Sequence, residues 1–130
     1  MMPTQVAHEL CSLAAQNDVS QLEAWVKAGA DVNAHDFDYQ RPLYSAVEWN
    51  RLESVDILLR HGANPDALGP TDESPLSLAN RRPDVLMQIR EMLHRVAEAR
   101  RAATNAYSAV VHNLSQTVAN SPLPPSQSSD

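Results

Sequence analysis

One stretch of this chain is written twice. Ala28-Gly29-Ala30-Asp31-Val32-Asn33-Ala34 returns as His61-Gly62-Ala63-Asn64-Pro65-Asp66-Ala67, and Arg41-Pro42-Leu43-Tyr44-Ser45-Ala46 returns as Ser74-Pro75-Leu76-Ser77-Leu78-Ala79, both at an offset of 33 residues. Shifting back by the same 33 reaches His8-Glu9-Leu10-Cys11-Ser12-Leu13-Ala14, which keeps Leu10 and Ala14. A period of this length constrains the fold more than any propensity does. Each unit is one supersecondary motif too small to bury its own apolar face, so successive units must stack.

Within a unit, the pattern predicts two helices. The first opens at a proline, whose fixed φ suits a first helical turn. A polar turn follows at Asn17-Asp18 or Asn50-Arg51. The second helix has apolar residues at helical spacing, Leu22, Trp25 and Val26 in one unit and Leu52, Val55, Ile57, Leu58 and Leu59 in the next. It ends at Gly29 or Gly62, where a left-handed residue can terminate a helix.

These landmarks resemble the ankyrin repeat, whose period is about 33 residues. The unit from Asp36 to Ala67 carries the resemblance most fully, through Pro42-Leu43, Ala46, Glu53, Val55, Leu58-Leu59 and Gly62-Ala63, and the likeness extends over roughly residues 6–95. The resemblance implies an all-α fold, a helical solenoid of about three helix-turn-helix units with short hairpin loops and a C-terminal helical extension. The departures from the family pattern carry physical expectations of their own. Arg41 and Ser74 stand for the opening threonine, and Tyr44 and Ser77 for the histidine, which puts the family's usual hydrogen bonding there in question. Tyr39 and Asp72 replace the hairpin glycine, so Tyr39 must take φ > 0 or the turn must differ. Asn17 and Asn50 replace the interhelical glycine and tolerate a left-handed conformation, but Pro83 cannot adopt it. The third unit should therefore turn differently, with its second helix displaced by about one residue and carried by Val85, Ile89, Met92, Leu93 and Val96.

After Val96, apolar residues recur at three- and four-residue steps through Val118. Two readings fit: one helix from Asp84 to about Ala119, or a break near Thr104-Asn105, both weak helix formers. The segment 102–119 either caps the open end of the stack or binds a partner or a second copy. The Pro/Ser-rich run 120–130 reads as disordered. The expected organisation is a repeat domain over 1–101, the extension or cap over 102–119, and the tail.

Charge narrows the function. The net charge is -6, divided as -5 over residues 1–40, -3 over 41–80 and +2 over 81–130. Such a chain has no overall attraction for nucleic acid. Its apolar runs fall well short of the roughly 20 residues that span a bilayer, and the first thirty residues lack the charged start and apolar core of a signal peptide. The expectation is a soluble, cytoplasmic protein. Cys11 is the single cysteine, which excludes an internal disulfide. With His8 it would make half a zinc site at most, and a buried thiol is the simpler reading. No Gly-rich phosphate loop and no nucleophile–base constellation is present, so neither enzyme nor cofactor is expected.

What the resemblance implies instead is binding. In this family the partner-facing surface comprises the hairpin tips and the exposed side of each first helix. By position that surface is Phe37, Asp38, Tyr39 and Gln40 at the first tip, Pro70, Thr71 and Glu73 at the second, Ala15-Gln16, Glu48-Trp49 and Arg81-Arg82 on the first helices, and Ala28 and His61 before the helix-ending glycines. Trp49, Phe37 and Tyr39 have no core to enter, and exposed aromatics among charges are the composition of binding hot spots. The other reading has Trp49 packing on Phe37 or Tyr39. Arg81-Arg82 either present an anion-facing patch or form a solvated turn. Trp25 reads as core. The expected function is a non-enzymatic module binding a protein with a basic patch, as an inhibitor or adaptor. An immunity protein that neutralises a toxin or effector enzyme and an assembly subunit using its C-terminal helix are the alternatives, the chain being either a monomer or a homodimer.

Overall fold

The computed structural model describes residues 2–120, with side chains through residue 106. Its elements are α1 (Pro3–Gln16), α2 (Val19–Lys27), α3 (Pro42–Glu48), α4 (Leu52–Arg60), a 3-10 turn at Pro70–Asp72, α5 (Pro75–Arg81) and α6 (Met87–Asn120). Among the described residues there is no strand, as an all-helical stack requires. The chain divides into two compact units, Met1–Ala97 and Glu98–Asp130, the boundary falling inside α6. α6 continues through Thr104 and Asn105 without interruption, so the single helix is the form found. Most of the tail expected to be disordered lies outside the described residues.

In the first unit, α1, α3 and α5 pack side by side as one layer, and α2 and α4 pack behind α1 and α3. Each first helix starts with proline at its first turn: Pro3, Pro42 and Pro75. The core runs through the stack as Leu10 and Ala14, then Leu43, Ala46 and Val47, then Leu76 and Ala79, backed by Leu22, Val55 and Leu58. Trp25 is partly buried against this cluster, at the core position its spacing indicates.

The interhelical turns behave as their asparagines demand. Asn17 and Asn50 are left-handed, at φ 58° and 62°. Their amides also stitch neighbouring units together. Asn17 Oδ1 accepts from the Ser54 backbone N–H at 3.1 Å and from its hydroxyl at 2.8 Å, while Asn50 Oδ1 accepts from Leu86 N–H at 2.8 Å. Arg51 donates to Ala15 O at 2.7 Å and Arg82 to Glu48 O at 3.2 Å, two carbonyls in equivalent positions of successive units. Pro83 breaks the third turn: Arg82 is extended at φ -100° and ψ 118° where its counterparts enter a left-handed turn. The helix behind it is displaced, with Ile89 and Leu93 buried 34 residues after Val55 and Leu59 rather than 33.

Candidate functional site

The first hairpin tip is built on a buried carboxylate. Asp36 Oδ1 accepts from the backbone N–H groups of Asp38 and Gln40 at 2.8 and 3.0 Å, and Asp36 N–H donates to Gln40 O at 2.9 Å. This closes the turn and pushes Phe37, Asp38 and Tyr39 into solvent. Tyr39 takes the left-handed conformation, φ 62°, that the missing glycine would have adopted freely. Its ring stacks on His35, centroids 5.0 Å apart. The second tip differs. Gly69 replaces Asp36, and a Cβ there would meet the Tyr44 ring at 3.1 Å, so close approach rather than φ selects glycine. Thr71 and Asp72 are both left-handed, at φ 60° and 56°. Between the tips lies a cleft of about 350 Å³ lined by His35, Tyr39, Leu68, Thr71 and Asp72.

Phe37, Tyr39 and Trp49 are 73%, 64% and 58% exposed. Among the described residues the stacked ring pair is His35–Tyr39, so Trp49 is shielded by neither hairpin aromatic. Behind the tips a polar lattice repeats from unit to unit. Gln40 Nε2 donates to Glu48 Oε1 at 3.3 Å; one period later Arg81 grips Glu73 with two bonds of 2.8 and 2.9 Å. The Tyr44 hydroxyl also donates to Glu73, at 3.2 Å. The Arg81 guanidinium holds the Glu73 carboxyl below the usual carboxylate range, and burial first, then the Glu73 charge, raises Tyr44. Arg82 pairs with Asp84 at 2.7 Å, so both arginines at this end already hold carboxylates. Arg41, in the place of the family's threonine, donates to the carbonyls of Leu68 at 2.8 Å and of Asn33, tying the two tips together. His61 is exposed at the C-terminus of α4 and Thr71 at the rim of the cleft.

Cys11 is a buried free thiol. Burial, with the nearby Asp36 charge, pushes it up to about 12, so the thiol stays protonated at neutral pH. Among the described residues no cluster of three or more His, Cys, Asp or Glu could hold a metal ion, and no helix is long and apolar enough to cross a membrane. In the sequence Arg41 and Tyr44 stand out only as departures from the family pattern, and the unit-to-unit pairing of Gln40–Glu48 with Glu73–Arg81 goes unnoticed. The signal for the last was present: both pairs have a spacing of eight and are offset by 33.

Residues 38–70 match the ankyrin-repeat family. The chain carries an ankyrin repeat. It is similar to ankyrin repeat and SOCS box protein 6 of Mus musculus, 32% identical over 94 residues that make up 71% of this chain and 22% of that protein. Protein glp-1 of Caenorhabditis elegans is 45% identical over 51 residues, 39% of this chain and 4% of the relative. An L-asparaginase of Dirofilaria immitis is 33% identical over 73 residues, 56% of this chain and 12% of the enzyme. The chain thus spans less than a quarter of each of these relatives. What they share is the repeat, in general a non-enzymatic protein-interaction domain.

Proposed function

We propose that this chain is a binding module that engages a basic surface of a partner protein through its hairpin tips and first helices, acting in the cytoplasm as an inhibitor or adaptor. The observation that carries the reading is the exposure of the three aromatics Phe37, Tyr39 and Trp49 at and beside the first hairpin tip, which stand in solvent along with the aliphatic Met2, Leu68, Leu86 and Met87. Aromatics that a folded chain leaves in water gain most from a partner's surface. Asp38, Gln40, Glu48, Thr71 and Glu73 supply the polar surround, with Arg81, Arg82 and His61 at its margins. Residues 1–101 form the binding domain in this account, and 102–119 extend it.

Acidic balance over residues 1–80 supports the choice of a basic partner, because complementary charge speeds encounter and rejects wrong partners. A basic nuclease or toxin occluded by a small acidic domain is the most specific form of this reading. The test is affinity purification from the source cells with the full chain and with a Phe37→Ala/Tyr39→Gly/Trp49→Ala variant of matched thermal midpoint. A protein retained by the full chain, released by moderate salt and absent from the variant supports the proposal. Equal recovery on both baits rejects the aromatic face. Size exclusion with light scattering addresses the alternative of assembly: a dimer lost on removing residues 102–130 would favour it.

A further inference from the structure

A second cleft, of about 400 Å³, is lined by Gln5, His8 and Glu9 of α1 and by Phe37 of the first hairpin tip. We infer that this cleft seats an arginine side chain from a basic segment of the partner protein. The inference rests on the protein-binding reading above and extends its surface to Gln5, His8 and Glu9 of α1, positions that the repeat resemblance does not imply.

The argument begins with charge. Farther along the stack three acids are matched by the chain's own arginines: Arg60 holds Asp56 at 3.1 Å, Arg81 holds Glu73 at 2.8 Å and Arg82 holds Asp84 at 2.7 Å. Residues 1–40 contain one cation, Lys27, and it lies 3.6 Å from Glu23. Asp18 caps α2, Asp31 accepts from the Asn33 backbone N–H at 2.9 Å and Asp36 closes the hairpin. Glu9 and Asp38 remain, both exposed, with no ion pair or side-chain hydrogen bond shown among the described residues. Nearby, Asp36 Oδ2 sits 3.9 Å from His8 Nδ1, adding a second carboxylate behind the cleft wall. An anion entering here meets Glu9 and Asp36. An apolar side chain would strip water from Glu9 without compensation.

The shape of the lining then chooses among cations. Phe37 lines the cleft, and a cation over an aromatic face is attracted by the ring quadrupole. A planar guanidinium can lie on that face while its N–H fork reaches the Glu9 carboxylate. A lysine ammonium is a compact, strongly hydrated charge and satisfies one contact at a time.

The test is an NMR titration of the isotope-labelled full chain with the peptide acetyl-Gly-Arg-Arg-Gly-amide and with its Lys-Lys counterpart. Saturable shifts should centre on Gln5, His8, Glu9 and Phe37, with the arginine peptide binding at least about twofold more tightly. Glu9→Gln and Phe37→Ala change exposed positions and keep the native spectrum elsewhere; each should raise Kd about two- to fivefold. Shifts centred on Tyr39, Thr71 or Trp49, with Kd unchanged in both variants, would remove the cleft and leave the protein-binding face standing. Equal or tighter binding of the lysine peptide overturns the choice of arginine. Absence of saturable binding to either peptide overturns the cleft altogether, and the purification experiment judges the wider reading independently.

Discussion

Asn17 illustrates how much one turn residue can hold. Its backbone is left-handed, its Oδ1 satisfies both the N–H and the hydroxyl of buried Ser54, and its Nδ2 donates to Glu53 at 2.9 Å. Asn17→Ala removes all of these and leaves an alanine at φ > 0, so it should cost about 2–3 kcal/mol. Asn17→Gly keeps the conformation and loses only the bonds, so urea melts should place it between wild type and Asn17→Ala. Tyr39 makes the opposite prediction. Tyr39→Gly relieves a left-handed backbone at an exposed tip, so the thermal midpoint should hold or rise slightly even as a binding aromatic is lost. The requirement for positive φ at Tyr39 was legible in sequence, because the hairpin position it occupies belongs to glycine. Its stacking on His35 was not, since a rotamer choice leaves no trace in the repeat pattern.

At the scale of elements, the displaced second helix of the third unit was also legible. Pro83 cannot be left-handed, and the burial of Ile89 and Leu93 one residue late is the consequence. The lattice behind the tips was harder to see, because it needs the register of each tip against its own first helix, which spacing alone does not fix. The Glu73–Arg81 pair in that lattice predicts a pH effect. Arg81 lowers the Glu73 carboxyl in the folded state. Its stabilisation is therefore complete above the ordinary carboxylate range and is lost as pH falls through the lowered value. Glu73→Gln should be less stable than wild type at pH 7, by under about 1 kcal/mol for a pair whose arginine is 61% exposed, and the gap should close as pH falls below the ordinary carboxylate range. Thermal melts of both proteins across pH 3–7 check the sign. Leu58, fully buried in α4, sets the scale for a core loss: Leu58→Ala should cost about 2–5 kcal/mol, a large share of the stability of so short a stack.

At the scale of the molecule, charge and exposed aromatics coincide. Residues 1–40, which hold the first hairpin tip and most of the excess acid, neutralise little of that acid internally, whereas the arginines from Arg60 to Arg82 are bound to carboxylates. Association with a basic partner should therefore slow as salt rises, with the dissociation rate changing much less. Surface plasmon resonance over a salt series would show this. The most direct measurement pairs affinity with stability. The partner's Kd and the thermal midpoint are determined for wild type, Trp49→Ala and Leu58→Ala. If Trp49 is a contact on a preformed face, Trp49→Ala raises Kd about tenfold or more and leaves the midpoint close to wild type. An unchanged Kd, or a midpoint that falls as far as that of Leu58→Ala, would contradict the account.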